Sequence, residues 1–232
     1  MSFKQFLLFA TDATGLEKLL RLLQCLSQIL SGLASTSGDV LFWNHTRRQF
    51  ALGRRYLRFF RVFECISRMS DVYFQTAAGG WEILFGVLKW GFLGGFLGLE
   101  SLTLLDAMGV YPVSWAASAM LEANKLWFYS LVCSIALGIL QLSSSTEDSK
   151  SKKGEKSKGK AAAVGERGKD GKGQRMGKEE LQRVKIRLVA DCFDLLVPGF
   201  VTGWIPVGTV VAGFAGVVST TLSSKDIWDR FG

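Results

Sequence analysis

Residues 126–146 read LWFYSLVCSIALGILQLSSST, twenty-one positions without a formal charge. A helix crosses a bilayer core with about 20 apolar residues, and the leading Leu-Trp-Phe-Tyr suits the interface, where aromatic rings settle at headgroup level. The stretch therefore predicts a transmembrane helix. Upstream, residues 81–105 are also apolar, but Glu82, Lys89 and Glu100 interrupt them and Gly86, Gly91, Gly94, Gly95 and Gly98 are spaced through them. A buried helix, a bent membrane segment and a hairpin all fit that pattern. Downstream, residues 195–224 run for 30 positions without charge and contain Pro198, Pro206 and five glycines. One span needs fewer residues, so this is a Pro-bent span or a short re-entrant turn followed by a span, with 207–222 the best single crossing.

Charge is segregated from oil along the chain. Of a net +8 over 232 residues, +7 lies in residues 147–190, which hold 14 Lys/Arg against 7 Asp/Glu. From 143 to about 177 the composition collapses to Ser, Lys, Gly, Glu and Ala with no aromatic residue. Such a segment has nothing to bury against the entropy of ordering, so it reads as a disordered basic linker. Its acidic residues are interspersed and it lacks rings for base stacking, which argues for a solvated loop and against nucleic acid as a partner.

The region before the apolar stretches carries two amphipathic patterns. Leu16, Leu19, Leu20, Leu23, Leu26, Leu30 and Leu33 share one helical face, Glu17, Lys18, Arg21, Gln24 and Gln28 the other, and Gly32 with Ser35-Thr36-Ser37-Gly38 ends the helix. Between 47 and 69 a single helix would align Arg47, Arg54, Arg58, Arg61 and Arg68 in a narrow stripe. Leu57, Phe59, Phe60, Phe63 and Ile66 belong to the broad apolar remainder. On one reading these ten residues bind anionic phospholipid: the apolar side chains enter the headgroup boundary, the guanidinium groups meet phosphate, and insertion into one leaflet favours curvature. On the other, the apolar face packs against 16–33 and the Trp81 region and leaves the arginines solvated.

Small residues repeat near the C-terminus as Gly199-x-x-x-Gly203 and Ala212-x-x-x-Gly216, with Gly213 beside them. That spacing lets helices approach closely in lipid and supports self-association, or ordinary packing within the chain. Chemistry-bearing patterns are lacking. The cysteines Cys25, Cys65, Cys133 and Cys192 are far apart in apolar sequence and read as small buried hydrophobes. His45 is the single histidine, so no zinc site is expected. The run from Gly91 to Gly98 lacks both the GxGxxG spacing and a preceding strand. No catalytic residue, metal or cofactor is expected, and the chain does not read as an enzyme.

The expected class is an all-α membrane protein in four parts: an amphipathic helical region at 1–80, apolar helices at 81–146 with a span at 126–146, a basic linker at 147–177, and a C-terminal helix with a Gly/Pro-rich membrane segment at 178–232. Three crossings would put the Arg-rich N-terminal region and the Lys-rich linker on one side, whereas two would separate them.

Several blocks together resemble one family. Asp12-Ala-Thr-Gly15-Leu-Glu-Lys18-Leu-Leu-Arg21-Leu-Leu-Gln24 is similar to the N-terminal block of the peroxin-11 family of peroxisomal membrane-elongation proteins. Leu52-Gly-Arg-Arg-Tyr-Leu-Arg58-Phe-Phe-Arg61-Val-Phe-Glu64 resembles that family's basic amphipathic helix. Arg187-Leu-Val-Ala-Asp191-Cys-Phe-Asp194-Leu-Leu-Val-Pro198, then Gly213-Phe-Ala-Gly216-Val-Val-Ser219-Thr and Trp228, is similar to its C-terminal signature. The resemblance implies a protein of the peroxisomal membrane that self-associates and elongates the membrane before fission, promoting peroxisome division and proliferation. It implies tail-anchored fission adaptors, a dynamin-related GTPase and the receptor delivering peroxisomal membrane proteins as partners. Some members are proposed to be metabolite pores, which makes a channel for small metabolites the alternative.

Overall fold

The computed structural model describes residues 3–74, 79–155 and 178–231, with side chains described except at 145–155 and 178. Among them there is no strand: the helices are α1 (Phe3–Thr11), α2 (Ala13–Leu33), α3 (Ser37–Arg58), α4 (Arg61–Tyr73), α5 (Gly80–Leu102), α6 (Leu104–Ala107), α7 (Ala116–Glu155), α8 (Lys178–Thr202) and α9 (Thr209–Trp228). The all-helical class stands.

Local chemistry sets the helix ends. The Asp12 carboxylate accepts from the Thr14 and Gly15 backbone N–H groups at 2.9 and 3.0 Å, satisfying donors that the first turn of α2 leaves open. The Thr36 hydroxyl does the same for Asp39 N–H at 3.1 Å, so the Ser/Thr/Gly cluster that ends α2 also starts α3. Within 47–69 the structure departs from the expected single helix. Phe59 N–H donates to Tyr56 and Phe63 N–H to Phe60, three residues back, and Phe60 sits at φ −90°, ψ −1°. This tightened turn divides the segment into α3, which packs on α2, and α4, which packs on α5.

Two helices among the described residues are long and apolar enough to cross a membrane: α5, and α7 over Ala116–Ser144. They pack against each other, with Phe96 stacked on Trp127 at 5.4 Å between centroids and Cys65 of α4 closing the same core. Of the expected linker at 147–177, backbone positions up to Glu155 continue α7, which a helix already nucleated by its apolar part can do at low cost. Residues 156–177 lie outside the described residues.

The uncharged stretch 195–224 forms neither one bent span nor one straight helix. α8 continues through Pro198 to Thr202, whose hydroxyl donates to the Pro198 carbonyl at 2.8 Å. Gly203, at φ 74°, then ends α8 in the left-handed conformation that glycine adopts without strain. Ile205 N–H returns to the Gly199 carbonyl at 3.0 Å, and α9 packs back against α8.

Packing partners run α3–α2–α9–α8–α7–α5–α4, and α3, which runs into α4 at the Phe59–Phe60 turn, also touches α5, so the long helices close a ring. Cys25, Cys65 and Cys133 are buried as expected, but Cys192 is exposed, on the outer side of α8.

Candidate functional site

The polarity of this ring is inverted relative to a protein folded in water, where charged side chains stay outside and large apolar ones pack inside. On α2 the exposed residues include Leu16, Leu23, Leu26, Leu30 and Leu33, while Glu17, Arg21, Gln28 and Ser31 are buried. Phe60 in the turn before α4, Phe63 and Ile66 of α4, Trp81 and Leu84 of α5, and Phe214 and Val218 of α9 continue the apolar exterior. An apolar surface this extended marks contact with membrane or protein.

The predicted membrane-binding residues are thereby sorted into two groups. Leu57 is half-buried and Phe59, Phe60, Phe63 and Ile66 are exposed, Phe60 at 72% and Phe63 at 64%. Arg54 is 7% exposed and turns inward: its Nε donates to Glu17 Oε1 at 2.9 Å and its Nη1 to Gln24 Oε1 at 2.6 Å. Arg58 Nη2 donates to Glu100 Oε1 at 2.7 Å, with Arg55 Nε 3.6 Å from the same oxygen, and the Arg58 guanidinium lies 5.8 Å from the Phe96 ring centroid. Arg47 is half-buried, its Nε enclosed without a hydrogen-bond partner among the described residues. Arg61 and Arg68 are exposed and flank Glu64 at 3.4 and 3.6 Å. The stripe thus splits where α3 gives way to α4, and the expectation that Arg54 and Arg58 face outward is corrected. Each has a buried carboxylate on another helix.

That interior polarity extends to the C-terminal hairpin. Arg21 of α2 forms an ion pair with Asp194 of α8 and donates to Ser219 of α9 at 3.3 Å, and Ser219 in turn donates to Asp194. Gly213 packs against Cys25 and Ile29 of α2 and Gly216 against Cys25, and Ala212 is buried beside them, so the close approach of these small residues is used within the chain. Gly199 lies under Ile205 in the hairpin turn, and Gly203 faces open space. These two shape the turn, so the helix-packing role expected for Gly203 is corrected too.

Periodicity did not single out Glu17, Glu100 or Asp194 as partners. A usable signal was present, since an ionisable residue within an apolar helix faces a bundle interior or a polar cavity, and Glu100 and Lys89 sit in such a helix. Glu17 lies outside the two spans. Burial acts to raise its pKa, but the neighbouring guanidinium of Arg54, aided by Arg58, outweighs this and pulls it from 4.5 down to about 2. The folded value lies below the unfolded one, so this group stabilises the fold above pH 4.5 and the contribution drains away as pH falls toward 2. Its size is up to about 3 kcal/mol. Acid unfolding of the detergent-solubilised protein should therefore steepen below pH 4.5, and Glu17→Gln should flatten that limb. An unchanged limb in the variant would contradict the pairing.

Together the outward apolar belt, the charged interior and two spanning-length helices define an integral membrane protein of helical-ring type. The chain belongs to the family described as Peroxisomal biogenesis factor 11 (PEX11), which matches residues 3–228. It is thus a peroxisomal membrane protein of a biogenesis-factor family, not of an enzyme family. It is 25% identical to the peroxisomal membrane protein PMP27 of Saccharomyces cerevisiae, over 98% of this chain and 94% of that protein. No solved structure matches it significantly.

Proposed function

We propose that this protein elongates the peroxisomal membrane during peroxisome proliferation, with the apolar corner at Phe59, Phe60, Phe63 and Ile66 wedged into one leaflet. The observation carrying this reading is the sorting described above: the aromatic residues face out while Arg54 and Arg58 are anchored inside. In this mechanism the buried Arg54 and the half-buried Arg58 hold α3 against α2 and α5 and so aim the wedge, while Arg61 and Arg68 remain near headgroup phosphates. Magnitudes favour the apolar part. Burying a Phe or Ile side chain yields about 1.5–3 kcal/mol, whereas a basic residue at an anionic surface contributes about 1 kcal/mol, and these two already share Glu64. Self-association through the remaining apolar exterior concentrates the wedges, and the elongated membrane is then passed to fission adaptors and a dynamin-related GTPase.

The test uses the full chain reconstituted into phosphatidylcholine vesicles containing phosphatidic acid. The unaltered protein should draw tubules, and Phe60→Ser/Phe63→Ser/Ile66→Ser should draw none while its unfolding shifts little, because all three side chains are exposed. Persistent tubulation by the triple variant would refute the wedge. A second reading, passage of small polar solutes, is favoured by the charged cavity inside the ring. Release of trapped solutes from the same vesicles measures it.

A further inference from the structure

A cavity of about 220 Å³ lies inside the ring, lined from α2, α3, α4, α5, α7 and α8. Its lining is charged. Six cations reach it: Lys18, Arg21, Arg54, Arg58, Arg61 and Lys89. Only three carboxylates do so, those of Glu17, Asp191 and Asp194. Two of these are engaged, Glu17 by Arg54 and Asp194 by Arg21, while Arg58 and Arg61 pair with Glu100 and Glu64 outside the lining, so the cations of the lining without an ion pair among the described residues are Lys18 and Lys89. Asp191 accepts from Ser134 Oγ at 2.6 Å.

Several donors in the lining remain open. Lys18 Nζ has a hydroxyl partner, Ser223 Oγ at 2.9 Å, and no carboxylate in ion-pair range among the described residues. Lys89 Nζ lies 5.5 Å from the Trp90 ring centroid and is likewise without an ion pair there. Arg58 Nε is enclosed and has no hydrogen-bond partner among the described residues. Like charges gathered out of water are costly unless a counter-charge joins them.

We infer that this cavity binds a small phosphate-bearing anion, with Lys18, Lys89 and Arg58 as its principal donors. A phosphomonoester matches the lining better than a carboxylate does. It carries nearly two charges and three acceptor oxygens, and donors arriving from α2, α3 and α5 can each take one, with arginine supplying the planar fork suited to phosphate. The volume sets the size class, for it falls below the roughly 300–1,000 Å³ of drug-sized ligand sites. A free phosphate, a short phosphomonoester or a lipid headgroup is the right scale. A smaller cavity of about 40 Å³ shares Lys89, Ser134 and Asp191 with the first and reaches Arg187, giving the anion a polar approach between α7 and α8. The inference names a solute class for the passage reading, yet the site stands as a binding site whether or not anything crosses.

The experiment is thermal unfolding and titration of the full chain in nanodiscs. In phosphatidylcholine discs, inorganic phosphate and glycerol 3-phosphate should raise the unfolding midpoint, while chloride at matched ionic strength should not. Lys18→Gln and Lys89→Gln should each weaken the interaction about tenfold or more, and Lys89→Arg should retain it. Asp191→Asn removes a lining carboxylate and should tighten it severalfold, an effect opposite in sign to misfolding. If only discs containing phosphatidic acid raise the midpoint, with the same dependence on the variants, the anion is a lipid headgroup. If soluble phosphate suffices, it is a free one. The inference is overturned if neither source stabilises the protein, if the lysine variants respond as the unaltered chain does, or if Asp191→Asn weakens binding. Binding without flux of glycerol 3-phosphate across vesicles would keep the site and discard the passage reading.

Discussion

Arg54→Ala is expected to destabilise the protein by about 3–5 kcal/mol, the cost of leaving one member of a buried ion pair alone. The substitution strands the Glu17 carboxylate, 5% exposed, inside the α2–α3 contact and removes the partner of Gln24. A buried charge without a counter-charge is far worse than no charge at all. The double substitution Glu17→Leu/Arg54→Met should therefore cost much less than the single one, because it replaces the pair with apolar groups of similar length. Unfolding by a denaturing detergent from mild micelles, measured for both singles and the double, gives the coupling directly. We expect a coupling of at least about 2 kcal/mol. Simple additivity would mean that Arg54 and Glu17 do not interact, and the inward orientation of the stripe would then fail.

Gly213→Leu should separate α9 from α2 and cost about 3 kcal/mol, at the upper end of overpacking penalties. A Cβ at Gly213 would stand 2.7 Å from Ile29 Cγ1 and 3.3 Å from the Cys25 carbonyl oxygen, so both side chain and backbone of α2 block it. A leucine has no way around them. Gly98→Ala is the control: a Cβ there meets nothing within 4 Å, and alanine favours a helix over glycine by up to about 1 kcal/mol. It should be neutral or slightly stabilising. The readout is the unfolding midpoint, together with a Cys25 thiol-labelling assay, since Cys25 is buried beside Gly216 of α9. Faster labelling in Gly213→Leu and unchanged labelling in Gly98→Ala are expected. Equal labelling in both would show that the α2–α9 contact is not what the glycine protects.

Most of the architecture is legible in single stretches of the chain. The uncharged run at 126–146 lies within the long apolar α7, the glycine-interrupted run at 81–105 is α5 up to Leu102 and the start of α6 beyond it, and the 16–33 pattern matches α2 to within three residues at its start. Such features are local, since length, absence of charge and a three-to-four-residue spacing are properties of neighbouring residues. The break at Phe59–Phe60 was not legible. No glycine or proline stands at Phe59–Phe60, and Gly53, which does lie in the segment, continues α3; the turn falls where α3 and α4 go to different helices. The hairpin at Gly203 lies between, as the re-entrant alternative foresaw a turn but composition could not choose it over a bent span.

By itself, the sequence determined that this is a helical membrane protein of the peroxisomal biogenesis factor 11 kind, and which residues share each helical face. Tertiary structure alone decided which face looks inward. A helix with apolar and charged sides has the same periodicity whether water or lipid surrounds it, and the inward direction of Arg54 and Arg58 depends on Glu17, 37 residues away, and Glu100, 42 residues away. Those pairings exist only where α3 packs against α2 and lies beside α5.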